Sequence, residues 1–582
     1  MKEQPPISPW GHMSGAQAVV NSLRRAGVKR VFGIPAIETT YLFDAFESSP
    51  IEMVLCTHEH SAVFMADAHA RATGELSACV LAPGPGLTNA MTGLAEAKMD
   101  TSPLLALVAG QLEGGQREET VVDALDQLAM ARPLCKRVFR VEDPEEIPPA
   151  LARAVRLAQE GAPGPVLVEI PVDVQRRRGR MEGTGFRPGP KELSRKAFES
   201  LARTVKKMQR AKQVGLYVGA GCFEATEEVA ALAELLHAPV ATTISGLGCL
   251  PFIHPLSVGF GPGPVGSPLA EDCLAQCDLL LAVGCRFSEA TIGPSAYVLD
   301  AELVHIDIEE GVAGRRVPAA QAITAPARQA LRFLLDRLQE RPDDGGMRER
   351  VRQGKRELRD RLKARKPWRD AVDPIKFFVG LRELMGSDDV LVLDAGHHAH
   401  FAVASYAVQA PRSLIAPVDY RAAGFAVPAA VAIKLAKPDY RVVACVGDGG
   451  FLKTCMELLT ARRCNASPVV VVFADGKMDL LRAFQERVIG RETCVDLVPV
   501  NYEQLALALG VGYLCIRHDG EIEEGLRQAL TMEKPVVVEC RVAYRELSAY
   551  LEASRQAEVE KLPRATYLRV GARLLMRKIL GR

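Results

Sequence analysis

Short apolar runs alternate with longer stretches of helical period along most of this chain. The first set is Val31-Phe32-Gly33, Glu52 to Leu55, Ala78 to Leu81, Leu104 to Ala109 and Val166 to Glu169. A strand covered on both faces reads as a continuous apolar run, and its alternation with helices predicts a parallel sheet. A polar, basic linker (Arg176 to Lys196) separates these from Gly215 to Val218, Val240 to Thr243, Leu279 to Val283 and Leu303 to Ile308. A charged, helix-prone connector (Arg341 to Arg369) precedes a third set: Val390 to Leu393, Arg441 to Val446, Val469 to Phe473 and Val536 to Glu539. The pattern predicts an α/β protein of three domains, each a mostly parallel sheet flanked by helices. Their expected bounds are 12–180, 195–340 and 370–548, followed by a tail over 549–582. No solenoid-type repeat is visible.

Composition narrows the function classes. A chain of 582 residues exceeds what one core supports. With 72 basic against 71 acidic residues there is no global field to recruit nucleic acid or a membrane. The 14 cysteines form no CxxC pair, which reads as reduced thiols of a cytoplasmic protein rather than a disulfide framework. Met1 to Met13 lacks the apolar core of a signal peptide, and no apolar run reaches the length of a membrane span. The tail stands apart: Lys561 to Arg582 carries seven basic residues and no acidic one. Leu568, Ala572, Leu575 and Ile579 share one helical face and Arg569, Arg573 and Arg577 another. Such a basic amphipathic helix docks on its own protein, makes peripheral contact with anionic lipid, or covers an anionic ligand.

The chemistry concentrates at glycine turns. Gly447-Asp448-Gly449-Gly450 closes an apolar strand and opens a helical run, and a second strand ends at Asp475-Gly476. An aspartate in such a turn holds a divalent cation, and glycines let backbone amides close on a phosphate; the same turn also occurs as an ordinary strand-to-helix junction. Far upstream stand Thr57-His58-Glu59-His60, a helix to Gly74, the strand ending at Ala82, and the turn Pro83-Gly84-Pro85-Gly86-Leu87-Thr88-Asn89. A glutamate, helix and glycine turn in this order, with a GDG element in the C-terminal third, resembles the thiamine diphosphate (ThDP) enzymes, and among them acetolactate synthase and its relatives. The likeness runs over residues 12–545.

That resemblance implies N-terminal pyrimidine-binding, central Rossmann-like and C-terminal diphosphate-binding domains. It implies active sites between the first domain of one subunit and the third of another, hence a homodimer or homotetramer. Glu59 falls at the position that exchanges a proton with N1′ of the aminopyrimidine, with Gly84 in the glycine turn. Asp448 matches the Mg²⁺ aspartate, with Gly447, Gly449 and Gly450 beside the diphosphate. The family's asparagine pair is replaced by Asp475-Gly476, so either Asp475 or a water with the Met478 carbonyl completes the metal site. In Asp394-Ala395-Gly396-His397-His398-Ala399-His400, His398 falls on the family histidine and His397 on the glutamine before it. Diphosphate contact, exposed loop histidines and a second metal are open there.

Other positions bear on the substrate. Ala423 stands where that family places a bulky side chain that wedges the cofactor, next to Ala422, and Arg421, in place of the family's glycine, is expected to face substrate. Gln111 is retained, whereas Asp123 replaces the pocket glutamine and Val122 the preceding phenylalanine; His400 is a further pocket candidate. In the middle domain Gly219-Ala220-Gly221, Thr242 to Gly248, Arg286-Phe287 and His305-Ile306-Asp307 match, with Gly263 to Gly266 departing, which leaves FAD, an ADP-type ligand or no nucleotide open. The implied activity is C–C bond formation or cleavage beside a carbonyl through the cofactor's C2 carbanion and enamine: a 2-oxoacid decarboxylase or carboligase acting on a small carbonyl substrate. The alternatives are a 2-hydroxyacyl-CoA lyase or oxalyl-CoA decarboxylase relative, and a non-catalytic family member.

Overall fold

The computed structural model describes residues 10–110, 125–183, 192–261, 266–292, 300–342, 345–546 and 552. Gln111, Val122, Asp123, Gly263 to Val265 and the basic tail therefore lie outside the described residues, Glu552 excepted. The chain forms two compact units. One holds residues 1–190, 419–442 and 454–468; the other holds 191–418, 443–453 and 469–582. The chain thus changes unit five times.

The first unit is built on a six-stranded parallel sheet. After a short strand β1 (His12–Ser14) come β2 (Arg30–Gly33), β3 (Glu52–Leu55), β4 (Ser77–Leu81), β5 (Leu104–Gly110), β6 (Arg137–Arg140) and β7 (Pro165–Pro171). β8 (Arg178–Arg180) pairs antiparallel with β1. The sheet order is β3-β2-β4-β5-β7-β6, all parallel. Every residue of β4, β5 and β7 is buried. One core joins the sheet to the helices Gly15–Arg25 and Ile147–Gln159 through Leu23, Leu151 and Val155. The other core packs Val63, Leu87 and Leu94 of the helices Glu59–Thr73 and Pro85–Met99 with Val431 and Ala461 from the later segments of this unit.

The second unit carries two further sheets. Strands β9 (Val214–Val218), β10 (Val240–Thr242), β11 (Ser257–Phe260), β12 (Leu279–Val283), β13 (Glu302–Asp307) and β14 (Gln321–Thr324) lie in the order β11-β10-β9-β12-β13-β14. This is the dinucleotide-fold order 3-2-1-4-5-6. Strands β15 (Val390–Leu393), β16 (Leu414–Ile415), β17 (Val442–Gly447), β18 (Val469–Ala474), β19 (Gly512–Ile516) and β20 (Val536–Arg541) lie in the order β16-β15-β17-β18-β20-β19. Counted from their own first long strand, this sheet and that of the first unit share one order, 2-1-3-4-6-5. In such sheets ligands bind beyond the strand C-termini where the order reverses, here beyond β15 and β17 and beyond β2 and β4. The α/β expectation of three helix-flanked parallel sheets is met. No helix among the described residues is long and apolar enough to cross a membrane.

Candidate functional site

In the first unit, the glutamate is set by the turn that precedes it. Thr57 donates through its amide (3.0 Å) and hydroxyl (2.5 Å) to Glu457 Oε1, a fully buried carboxylate. His58 then caps the helix Glu59–Thr73, its Nδ1 accepting from the His60 amide at 3.2 Å. Glu59 is thereby the first helical residue, where the helix dipole favours a carboxylate. Its Oε2 accepts from Asn89 Nδ2 at 3.0 Å. The helix Pro85–Met99 comes this close because Gly93 lacks a side chain: a Cβ there would stand 2.6 Å from Val63 Cβ. Gly84 opens that helix at φ 60°, ψ −107°, a conformation only glycine takes readily, and its amide donates to Gln127 Oε1 at 2.9 Å.

The segment Asp419 to Phe425 belongs to the same unit and hangs on a buried ion cluster. Arg71 bonds Asp67 (2.8 Å) and Asp100 (2.8 Å) and lies 3.2 Å from Glu96. Glu96 Oε2 accepts the Ala422 amide at 3.0 Å, and Asp100 Oδ1 that of Asp419 at 3.3 Å. One cation among three carboxylates leaves an excess of negative charge. Burial first, and then Asp100 and Asp67, push the Glu96 carboxyl up to about 9 against the pull of Arg71. Arg421 is exposed and held at φ 63°, a costly conformation for a residue with a Cβ. Ala422 is buried and Ala423 half-buried beside it.

In the second unit, the reversal between β15 and β17 gathers the predicted diphosphate residues. Asp448 is 5% exposed. Its Oδ2 accepts the amides of Asp475 (3.0 Å) and Gly476 (3.2 Å), and Tyr502 donates its hydroxyl to Oδ1. Burial, Asp479 and Asp448 push Asp475 up to about 8. Met478 is 39% exposed; its carbonyl already accepts the Arg482 amide at 2.9 Å. His397 is buried, with Nδ1 2.7 Å from Asp479 Oδ2 and its ring stacked on Tyr544. His398 is buried against Phe473, and desolvation holds it down at about 3, hence neutral. The Nε2 atoms of both histidines are buried without a hydrogen-bond partner among the described residues. His400 is half-exposed, one turn further along the same helix.

The glycines separate into two kinds. A Cβ on Gly450 would meet Val446 Cγ2 at 2.9 Å and Asp394 Oδ1 at 3.1 Å, so packing requires that glycine. Around Gly447 and Gly449 the nearest atoms would be 3.9 and 3.8 Å away, His398 Nδ1 and Met478 Cε. The protein leaves a cradle there that side chains would fill. Open backbone at Gly447 and Gly449, two orphaned imidazole nitrogens and a crowded carboxylate pair suit a diphosphate with a hard divalent cation. Among the described residues no group of three or more His, Cys, Asp or Glu converges as a metal site. Mg²⁺ needs none, since it is bound through one or two carboxylates with phosphate oxygens completing its shell. In the dinucleotide-order sheet, by contrast, a Cβ on Gly219 would stand 2.2 Å from the Gly284 oxygen and one on Gly221 2.7 Å from Gly284 Cα. Those glycines are accounted for by their contact with one another.

Sequence reasoning missed Glu457, Tyr502 and Asp479. Each reaches its partner from 54 to 400 residues away. Only Asp479 left a trace, one helical turn beyond Asp475.

Comparison with known proteins bears on the same segments. Residues 13–130 match the thiamine pyrophosphate enzyme N-terminal TPP binding domain, 201–334 the central domain and 394–540 the C-terminal TPP binding domain. The probable acetolactate synthase large subunit of Methanocaldococcus jannaschii is 32% identical over 552 residues, covering 90% of this chain and 91% of the relative. The acetolactate synthase isozyme 3 large subunit of Escherichia coli is 31% identical over 547 residues (89% and 92%), and the acetolactate synthase of Mycobacterium bovis 32% over 557 (90% and 88%).

Proposed function

Since this chain belongs to the thiamine pyrophosphate enzyme family and is a ThDP-dependent enzyme, we propose that it is a Mg²⁺-assisted 2-oxoacid decarboxylase and carboligase of acetolactate synthase type. The observation that carries this reading is the GDG turn, glycine at two positions where the protein's own packing does not ask for it, beside a buried, oriented aspartate. Bound ThDP would supply an electron sink for carbon–carbon cleavage beside a carbonyl. Asp448 and Asp475 would hold the Mg²⁺. The amides of Gly447 and Gly449 and the neutral imidazole of His398 would receive the diphosphate. Glu59, steadied by Asn89, would hold and return the proton at N1′ of the aminopyrimidine. His397, oriented by Asp479, would hold the diphosphate loop in place. We further propose that Glu59 and Asp448 meet across subunits of a homo-oligomer. The names of the Methanocaldococcus jannaschii and Escherichia coli relatives include the words large subunit.

The test is CO₂ release and acyloin formation from pyruvate with and without ThDP and Mg²⁺. Cofactor-dependent release is expected, reduced by roughly 100-fold or more in Glu59→Gln while ThDP binding persists. Full activity in that variant would remove the role given to Glu59. Cofactor-independent or absent release would overturn the pyruvate reading.

A further inference from the structure

A cavity of 1050 Å³ lies in the second unit, away from the loops beyond β15 and β17. Its floor is apolar: Leu250, Val258, Phe260 and Val408 are buried there, with Phe252 at one side. One wall is the helix Gly346–Lys363, of which only Met347 and Val351 are buried. The face that this helix turns to the cavity carries a cationic stripe, Arg348, Arg352, Lys355, Arg359 and Lys363, spaced three or four residues apart, beside the apolar Val351, Leu358 and Leu362. Arg356 and Arg382 also line it, against only two carboxylates, Glu349 and Glu383.

The stripe is incompletely neutralised. Arg352 and Arg356 share Glu349, while Arg359 and Lys363 make no ion pair among the described residues. Lys355 is anchored: its Nζ donates to the Phe252 (2.5 Å) and His254 (2.7 Å) carbonyls and lies 4.8 Å from the centre of the Phe252 ring. That bond ties the charged wall to the apolar floor, so both chemistries face one volume. The cavity reaches the end of the helix His397–Ser405 that is opposite His397. At 1.5 Å per residue, roughly 9 Å of helix separates Val403, its nearest lining residue on that helix, from His397.

A charged rim over an apolar floor of this size selects a ligand with both parts. We propose that this cavity binds a phosphate ester with an apolar or aromatic body, of the size of a nucleoside di- or triphosphate, at a site distinct from the ThDP loops. The inference does not rest on the carboligase reading. A free nucleotide and coenzyme A share the required chemistry.

The experiment measures equilibrium binding of ADP, coenzyme A and pyrophosphate to the full chain saturated with ThDP and Mg²⁺. ADP or coenzyme A is expected to bind more tightly than pyrophosphate, and to lose at least tenfold in affinity in the double variant Arg352→Glu/Arg359→Glu. Both positions are exposed, and Arg352→Gln/Arg359→Gln serves if charge reversal impairs folding. Whichever of ADP and coenzyme A binds more tightly identifies the source. Arg286→Ala, at the reversal point of the dinucleotide-order sheet, should leave the affinity unchanged. The proposal falls if neither probe binds, if the double variant binds as the parent does, or if Arg286→Ala alone abolishes binding.

Discussion

Gly449 and Gly450 are adjacent, yet the structure gives them different reasons to be glycine. Alanine at 449 meets nothing nearer than Met478 Cε at 3.8 Å. Gly449→Ala should therefore fold and melt as the parent does, within about 0.5 kcal/mol, while ThDP affinity falls at least tenfold. Alanine at 450 runs into Val446 and Asp394 and should cost about 1–3 kcal/mol in denaturant unfolding. If both variants lose stability alike, the cradle around Gly449 is a packing feature and not a ligand site. At this scale, the legible residues were those whose chemistry is local. Glu59 follows its own cap, and Asp448 directly follows its own strand. The groups that orient them were silent, because Tyr502 and Glu457 carry no pattern that points to a partner so distant in sequence.

Elements register the same contrast. Strands in sheet interiors, such as Leu104–Gly110 and Val469–Ala474, read directly as apolar runs because helices cover both their faces. The strands not anticipated in the main sheets, β6, β11, β14, β16 and β19, all lie at sheet edges. β6 reads Arg-Val-Phe-Arg and β16 is two residues long, so neither offers a run to recognise. The buried cluster joining Arg71, Glu96 and the Asp419–Phe425 segment makes a prediction about pH. Glu96 has its folded-state value raised from 4.5 to about 9. The folded protein keeps a proton that the unfolded chain releases, so this group's stabilisation is complete below pH 4.5 and is lost as pH rises towards 9. Glu96→Gln keeps an acceptor for the Ala422 amide and removes the titration. Thermal melts at pH 5, 7 and 9 should show the parent losing roughly 2 °C or more relative to the variant across that range. Parallel melting curves would mean that the cluster stays fully ionised.

For the whole molecule, the three parallel sheets were legible from the rhythm of strand and helix. The way the compact units share the chain was not, because the returning segments look like ordinary helices in sequence. Glu59 and Asp448 fall in different units, and their proposed meeting across subunits can be measured. Glu59→Gln and Asp448→Ala should each be inactive alone. Dissociated, mixed and reassembled in equal amounts, they should recover about a quarter of parental activity, since half the dimers are mixed and each has one intact site. No recovery would place both residues of a site on one chain.

The helices Ala426–Ala436 and Glu457–Arg463 complete a core begun some 400 residues earlier, with Val431 and Ala461 set among Val63, Leu87 and Leu94. Recombination with a relative at the connector between residues 334 and 394 looks safe on the map of matched segments. It would nevertheless place residues of two parents face to face inside one core. The two ends of this gene are therefore expected to descend together, and grafted C-terminal thirds to survive only with the matching face of Glu59–Thr73.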